Sequence, residues 1–250
     1  MSFSGRKYLV LGASGGVGRE VSRRLLESGA FVSALVREEA EVSDLAQAYP
    51  ESFHVARWCF EDGSDALKMS VDEAAAWKTI PLSGLVVAIG SLVLKPAHLT
   101  RDAEWEQTLA LNLTVPFWAA RSVVPHLSRE TGASMVFFSS VAARVGLANH
   151  EAISAAKSGV EGLVRSLAAT YASRGIRANA VAPSLTRSKM SARFGEAVFK
   201  SSEQMHPLKR VGEVADIASA ALWFLSPEQS WVTGQVLGVD GGLSVVRTAT

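Results

Sequence analysis

Residues 12–18 read Gly-Ala-Ser-Gly-Gly-Val-Gly, and no other stretch limits so strongly what this chain can fold into. They close an apolar run, Lys7–Gly12, and open a segment of helical period, Val17–Ser28. A strand that turns at once into a helix needs a glycine for the tight turn. A second glycine lets the backbone approach a ligand, and a third lets the helix close on the strand. Gly12, Gly16 and Gly18 meet those needs, with Ser14 and Val17 between them. The helix start then offers unpaired amides and the positive end of a dipole, which suit a pyrophosphate. The bland alternative is a glycine-rich turn that holds nothing.

The rest of the chain repeats the alternation. Further strand candidates are Phe31–Arg37, Phe53–Phe60, Leu85–Gly90, Ser134–Ser140, Arg177–Ala182 and Val236–Asp240, mostly without polar alternation, as expected of strands buried on both faces. Trp105–Leu127 and Ala152–Tyr171 carry apolar residues at intervals of three and four. This predicts an α/β fold, a Rossmann-type doubly wound parallel sheet of about seven strands with helices on both faces. Ligands of such sheets bind at the carboxyl edge of the strands. A length of 250 residues suits one such domain, spanning 1–250.

Composition narrows the partners. A net charge of +1 gives no electrostatic reason to expect nucleic acid or a membrane. The apolar stretch from Leu85 to Leu94 is too short to span a bilayer and is broken by Gly90 and Ser91. The single cysteine, Cys59, allows no intramolecular disulfide and no multi-thiolate metal site, so no metal is expected. It fits a cytoplasmic location.

Five further motifs bear on function: Leu111-Asn112-Leu113, Ser139-Ser140-Val141-Ala142, Ala155-Ala156-Lys157, Arg177 to Pro183, and Thr233-Gly234-Gln235 with Asp240-Gly241-Gly242. With the Gly-x-x-x-Gly-x-Gly loop, the chain resembles the short-chain dehydrogenase/reductase family nearly end to end. The resemblance implies hydride transfer between a nicotinamide and a carbonyl or alcohol. It implies Ser140 orienting a substrate oxygen, Lys157 holding the ribose, and Asn112 sustaining a proton-relay water. It also implies a substrate lid at about 185–210, polar and mobile in character, and a homotetramer or dimer built on the two long helices.

Several residues depart from the family pattern. The family's tyrosine should stand four residues before Lys157 and thirteen after Ser140; both counts give Ile153, which cannot donate a proton. Val87-Ala88-Ile89-Gly90 replaces Asn-Asn-Ala-Gly, Ser184 replaces the glycine after Pro183, and Cys59 stands where an aspartate often steadies the adenine. His150 lies seven residues before Lys157, two turns away on the same helix face, a spacing used by enoyl reductases of the superfamily. It is the candidate proton donor, against the alternative of a surface or capping histidine; Glu151 is a weaker substitute.

Cofactor choice rests on the end of the second strand. It shows Arg37 and no aspartate, which favours NADP over NAD because a guanidinium pairs with the 2′-phosphate. The resemblance places Phe60 near the adenine, Gly90 by the ribose, and Pro183, Leu185 and Ser188 around the nicotinamide. The expectation is an NADPH-dependent reductase of a small carbonyl or enone with a non-standard proton donor. A dinucleotide-binding protein without turnover and a non-redox enzyme on the same fold are the alternatives.

Overall fold

The computed structural model describes residues 2–247. Nine strands are numbered in chain order: β1 Lys7–Leu11, β2 Phe31–Val36, β3 Phe53–Arg57, β4 Leu82–Val87, β5 Ala133–Phe138, β6 Ile176–Pro183, β7 Thr186–Arg187, β8 Gly212–Glu213 and β9 Val236–Val239. Seven of them form one sheet in the order β3-β2-β1-β4-β5-β6-β9, and every pairing is parallel. The expected fold is therefore the one found. Strand β3 stops at Arg57, short of the expected Phe60, which opens a turn of 3-10 helix.

Period two within buried strands makes the two layers. In β1, Leu9 and Leu11 join one core cluster while Tyr8 and Val10 join the other. In β5, Met135 and Phe137 face the first and Val136 the second. The first cluster is closed by α3 (Gly63–Ala76), α5 (Val115–Val123) and α6 (Glu151–Tyr171), and the second by α1 (Gly16–Glu27) and α8 (Val214–Leu225). Alternate side chains going to opposite cores is what makes these strands read as continuous apolar runs.

The helix expected over Trp105–Leu127 begins earlier, at Asp102, as α4 (Asp102–Leu109) and continues into α5 through a π-helical turn at Ala110–Thr114. Pro116 accounts for the interruption. It has no amide to give to the Asn112 carbonyl, and in a regular helix its ring would crowd that oxygen. The remaining helices are α2 (Ser43–Ala48) and α7 (Gly195–Met205).

Lys7, at the amino end of β1, is fully buried. Its Nζ donates to the carbonyls of Ala75 (2.7 Å), Trp77 (2.8 Å) and Lys78 (3.3 Å), closing the carboxyl end of α3. Replacing it with methionine leaves those acceptors without their donor, at a cost of about 2–3 kcal/mol. Lys7→Met should therefore lower Tm by roughly 4–12 °C in a thermal melt. An unchanged Tm would remove Lys7 from the load on α3.

Candidate active site

The strand order reverses between β1 and β4, and the crevice opens there. Gly12 follows β1 with φ +88°, and a Cβ on it would lie 2.8 Å from the Ala88 carbonyl oxygen beyond β4. A Cβ on Gly18 would come 2.3 Å from the Gly12 oxygen, so α1 can start against the turn only with glycine there. Gly15 caps α1 without a side-chain bond, and the first turn holds no acidic residue. That leaves the helix terminus free for an anion. Gly16, at the start of α1, faces Val214 and Ser188, where a Cβ would lie 3.2 Å from Val214 Cγ2 and 3.5 Å from Ser188 Cβ.

Two spaces flank this turn. A cleft of about 310 Å³ is bordered by Gly12, Ser14, Arg37, Phe60 and Gly90. Five residues expected to touch the cofactor therefore share one surface. Arg37 is exposed, and no ion pair engages it among the described residues. Phe60 is braced by a stacked Trp118 ring at 5.9 Å. Cys59 also borders the cleft, and its Sγ donates to Asp62 Oδ2 at 3.1 Å, a bond that raises the thiol pKa. The same carboxylate oxygen accepts the Cys59 amide at 2.9 Å and Arg57 at 3.1 Å. An acidic group thus stands three residues after the position where the family's aspartate was sought.

A cavity of about 490 Å³ lies on the other side, and Met190 borders both spaces. Its walls include Val17, Ser140, His150, Pro183, Leu185 and Ser188. Ser140 Oγ accepts the Ala142 amide at 3.2 Å, which leaves its own hydrogen for another acceptor. His150 immediately precedes α6, with the Ser154 amide on its carbonyl at 2.8 Å. Its Nδ1 meets the Ala148 carbonyl at 2.7 Å, which fixes the hydrogen on Nδ1 and leaves Nε2 unengaged by that contact. Glu151 is exposed and instead accepts the Ala97 amide at 3.4 Å.

Lys157 and Asn112 border neither space; they stand behind Gly90. Lys157 is 8% exposed, its Nζ donates to the Phe138 carbonyl at 2.8 Å, and a Cβ on Gly90 would lie 3.8 Å from it. Burial lowers its pKa to about 8. Asn112, in the π turn, donates to Thr108 O (3.0 Å) and Ser91 Oγ (3.1 Å), and its Oδ1 would lie 2.7 Å from that same Cβ. Gly90 is therefore the point where both polar side chains reach the crevice wall. His150 and Lys157, two turns apart in sequence, serve different spaces: one the cavity, the other the wall behind the cleft.

The loop between Ser140 and α6 is tied to that helix. Ser154 Oγ donates to Ala142 O at 2.7 Å and Ser158 Oγ to Ala143 O at 3.2 Å. Glu161, 8% exposed, accepts from Ser139 Oγ at 2.9 Å and pairs with Arg144 at 3.1 Å. Sequence reading passed over Glu161, since an acid at helical spacing looks solvated. It also passed over Trp58 and Gln107, which border the cleft. The segment at about 185–210, expected to be a lid, contains secondary structure of its own: β7, which pairs with β8, and α7. Arg187 engages Glu196 (2.8 Å) and Glu203 (3.5 Å), and Arg193 donates to the carbonyl of Leu92, a residue of the cavity wall. Among the described residues no group of three His, Cys, Asp or Glu is placed to hold a metal, and no helix is long and apolar enough to cross a membrane.

Comparison with known proteins agrees with this geometry. Residues 12–244 match the family described as Enoyl-(Acyl carrier protein) reductase. The chain is 36% identical over 240 residues to galactitol 2-dehydrogenase (L-tagatose-forming) of Cereibacter sphaeroides, covering 94% of each chain. It is 34% identical over 249 residues to cis-4-hydroxycyclohexanecarboxylate dehydrogenase of Sinomonas cyclohexanicum, covering 98% of this chain and 99% of that one. A short-chain type dehydrogenase/reductase from Mycobacterium ulcerans superposes with a TM-score of 0.90 at 29% identity, covering 99% of this chain and 92% of that one.

The buried ammonium of Lys157 gives a test by pH. Its folded pKa, about 8, lies below the free value of 10.5, so the unfolded chain holds more protons between those limits. Stability should rise with pH across that window as the cost of the buried charge is lifted. Lys157→Met should show a shallower rise in denaturant midpoint between pH 8 and 10; equal slopes in both proteins would contradict the assignment.

Proposed function

Because the chain belongs to the short-chain dehydrogenase/reductase family of NAD(P)-dependent oxidoreductases, we propose that it is an NADPH-dependent reductase of a small carbonyl or enone, with His150 as proton donor in place of a tyrosine. The observation that carries this reading is the wall at Gly90, where Lys157 and Asn112 converge beside the glycine turn while Ser140 and His150 border the adjoining cavity.

The residues present fit a dinucleotide. The glycine turn and the uncapped start of α1 would take the pyrophosphate, Phe60 and Trp58 would border the adenine, and Arg37 would take the 2′-phosphate. Lys157 has one N–H on Phe138, which leaves two for ribose hydroxyls. When bound, the nicotinamide would supply the hydride. Ser140 would give its free hydrogen to the substrate oxygen and draw charge onto it. With Nδ1–H fixed on Ala148, the imidazolium form of His150 carries a second proton on Nε2, and that proton would pass to the reduced substrate. Neutral His150 would then await a proton from solvent.

Ile153, 3% exposed and packed in the first turn of α6, favours the alternative that the chain binds a dinucleotide without turnover. A homotetramer or dimer through the long helices is part of the same reading, supported by Trp105 and Phe117, which are 40% and 47% exposed. So is a cytoplasmic location.

Fluorescence titration should show NADPH binding tighter than NADH, and Arg37→Ala should narrow the gap by roughly tenfold, the worth of one phosphate ion pair. Oxidation of NADPH should follow with a member of a panel of ketones, quinones and enones. His150→Ala should then lower kcat by about 100-fold, the scale of general acid catalysis. Binding without turnover on any of them would establish the binding-only alternative. Turnover untouched in His150→Ala would remove His150 from the mechanism, and ketone reduction gained in Ile153→Tyr would show where the tyrosine was lost.

A further inference from the structure

One residue of the larger cavity's wall, Ser184, belongs to a hydrogen-bonded pair that the mechanism above leaves unused. Ser184, standing where the family has glycine, places its Oγ 2.8 Å from His206 Nε2. His206 Nδ1 lies 2.6 Å from the Ser202 carbonyl. A carbonyl only accepts, so Nδ1 carries the hydrogen and the neutral ring presents a bare Nε2. Ser184 must then be the donor to it. Its single hydrogen is committed inside the wall, and its oxygen has only lone pairs to offer the cavity it borders. His206 cannot turn away: it is 1% exposed and wedged against Gly241, where a Cβ would meet its Cδ2 at 3.3 Å.

The surroundings sharpen that acceptor. Leu92, Leu94, Leu147, Phe194 and Val198 make much of the cavity apolar. Ser188 and Ser191 bond to each other at 3.2 Å, Ser191 also donates to Thr186 O at 2.6 Å, and Thr186 Oγ1 donates to Ser184 O at 3.0 Å. Ser140 keeps a free donor, whereas Ser184 keeps free acceptors only. A carbonyl oxygen can use the first but not the second.

We propose that Ser184, oriented by His206, is a substrate-specificity residue that selects compounds carrying a hydroxyl or other hydrogen-bond donor on an apolar frame, in addition to the carbonyl that reacts. This rests on the reductase reading of the same cavity. An ether oxygen or a second ketone at that place would set lone pairs against lone pairs and bury both unsatisfied. His206 is a positioning residue, since it acts on substrate only through Ser184.

The test uses the NADPH complex of the full chain with cyclohexanones bearing hydroxyl or methoxy at positions 2, 3 and 4. At least one hydroxy compound should exceed its methoxy partner by roughly tenfold in kcat/KM, the worth of one buried hydrogen bond. Ser184→Ala and Ser184→Gly should collapse that ratio to about twofold or less. His206→Phe, which frees the Ser184 hydroxyl to turn into the cavity, should also erase it; a merely structural cross-link would lower Tm and leave the ratio intact. The same pairs reduced to cyclohexanediols and their monomethyl ethers are titrated calorimetrically, so that binding is read without turnover. Turnover without preference overturns the Ser184 assignment and leaves the reductase reading standing. A binding preference without turnover does the reverse. Equal affinity for the diols and ethers, or no binding of either, overturns the proposal.

Discussion

Everything at the mouth of this protein depends on two backbones passing closer than side chains allow. Gly12 and Ala88 meet at the point where the sheet reverses its order, and Gly18 closes on Gly12 from the helix side. The contact costs the chain two side chains' worth of packing there, at Gly12 and Gly18, and a crevice beside the start of α1 results. The amide-lined start of α1, the exposed guanidinium of Arg37 and the ring of Phe60 are then placed by strands that the crevice itself requires.

A second constraint works through desolvation. Lys157 and Glu161 are both nearly out of water on one face of α6, and each is held by a group of the β5 end: the Phe138 carbonyl for the lysine, Ser139 for the glutamate. Buried charges that lose such partners are expensive, so the helix and the strand end cannot separate without penalty. Ser140, the next residue along, inherits its position from that bond, and Arg144 extends the same tie to the loop that leads to His150. The position of Ser140 is thereby set in part by Glu161 and Arg144, which border neither space.

Much of this was legible in the sequence. The glycine spacing and the runs of Val, Leu and Phe forced the sheet, because strands buried on both faces leave no polar alternation to misread. Gly12, Ser14, Arg37, Phe60 and Gly90, singled out from the sequence, border one cleft. Side-chain direction was not legible. Helical spacing put His150 and Lys157 on one face, but the helix starts only after His150, and the two side chains serve different spaces. Pairs distant in sequence stayed hidden for the same reason: nothing local in Ser184 or His206 announces that they touch. The π turn was hidden as well, although Pro116 was in plain view, because a proline can be absorbed by a kink, a break or a widened turn.

Strand β1 has a property that follows from its two ends together. Lys7 must reach three carbonyls at the foot of α3, while Gly12 must pass under Ala88 at the top. Between them lie residues that alternate between the two cores. The strand can change its side chains within limits, but not its length. An insertion or deletion of one residue would send the apolar groups on one side of it to the wrong layer and pull one of the two ends off its mark. In a lineage of such chains, β1 would drift by substitution and never by indel.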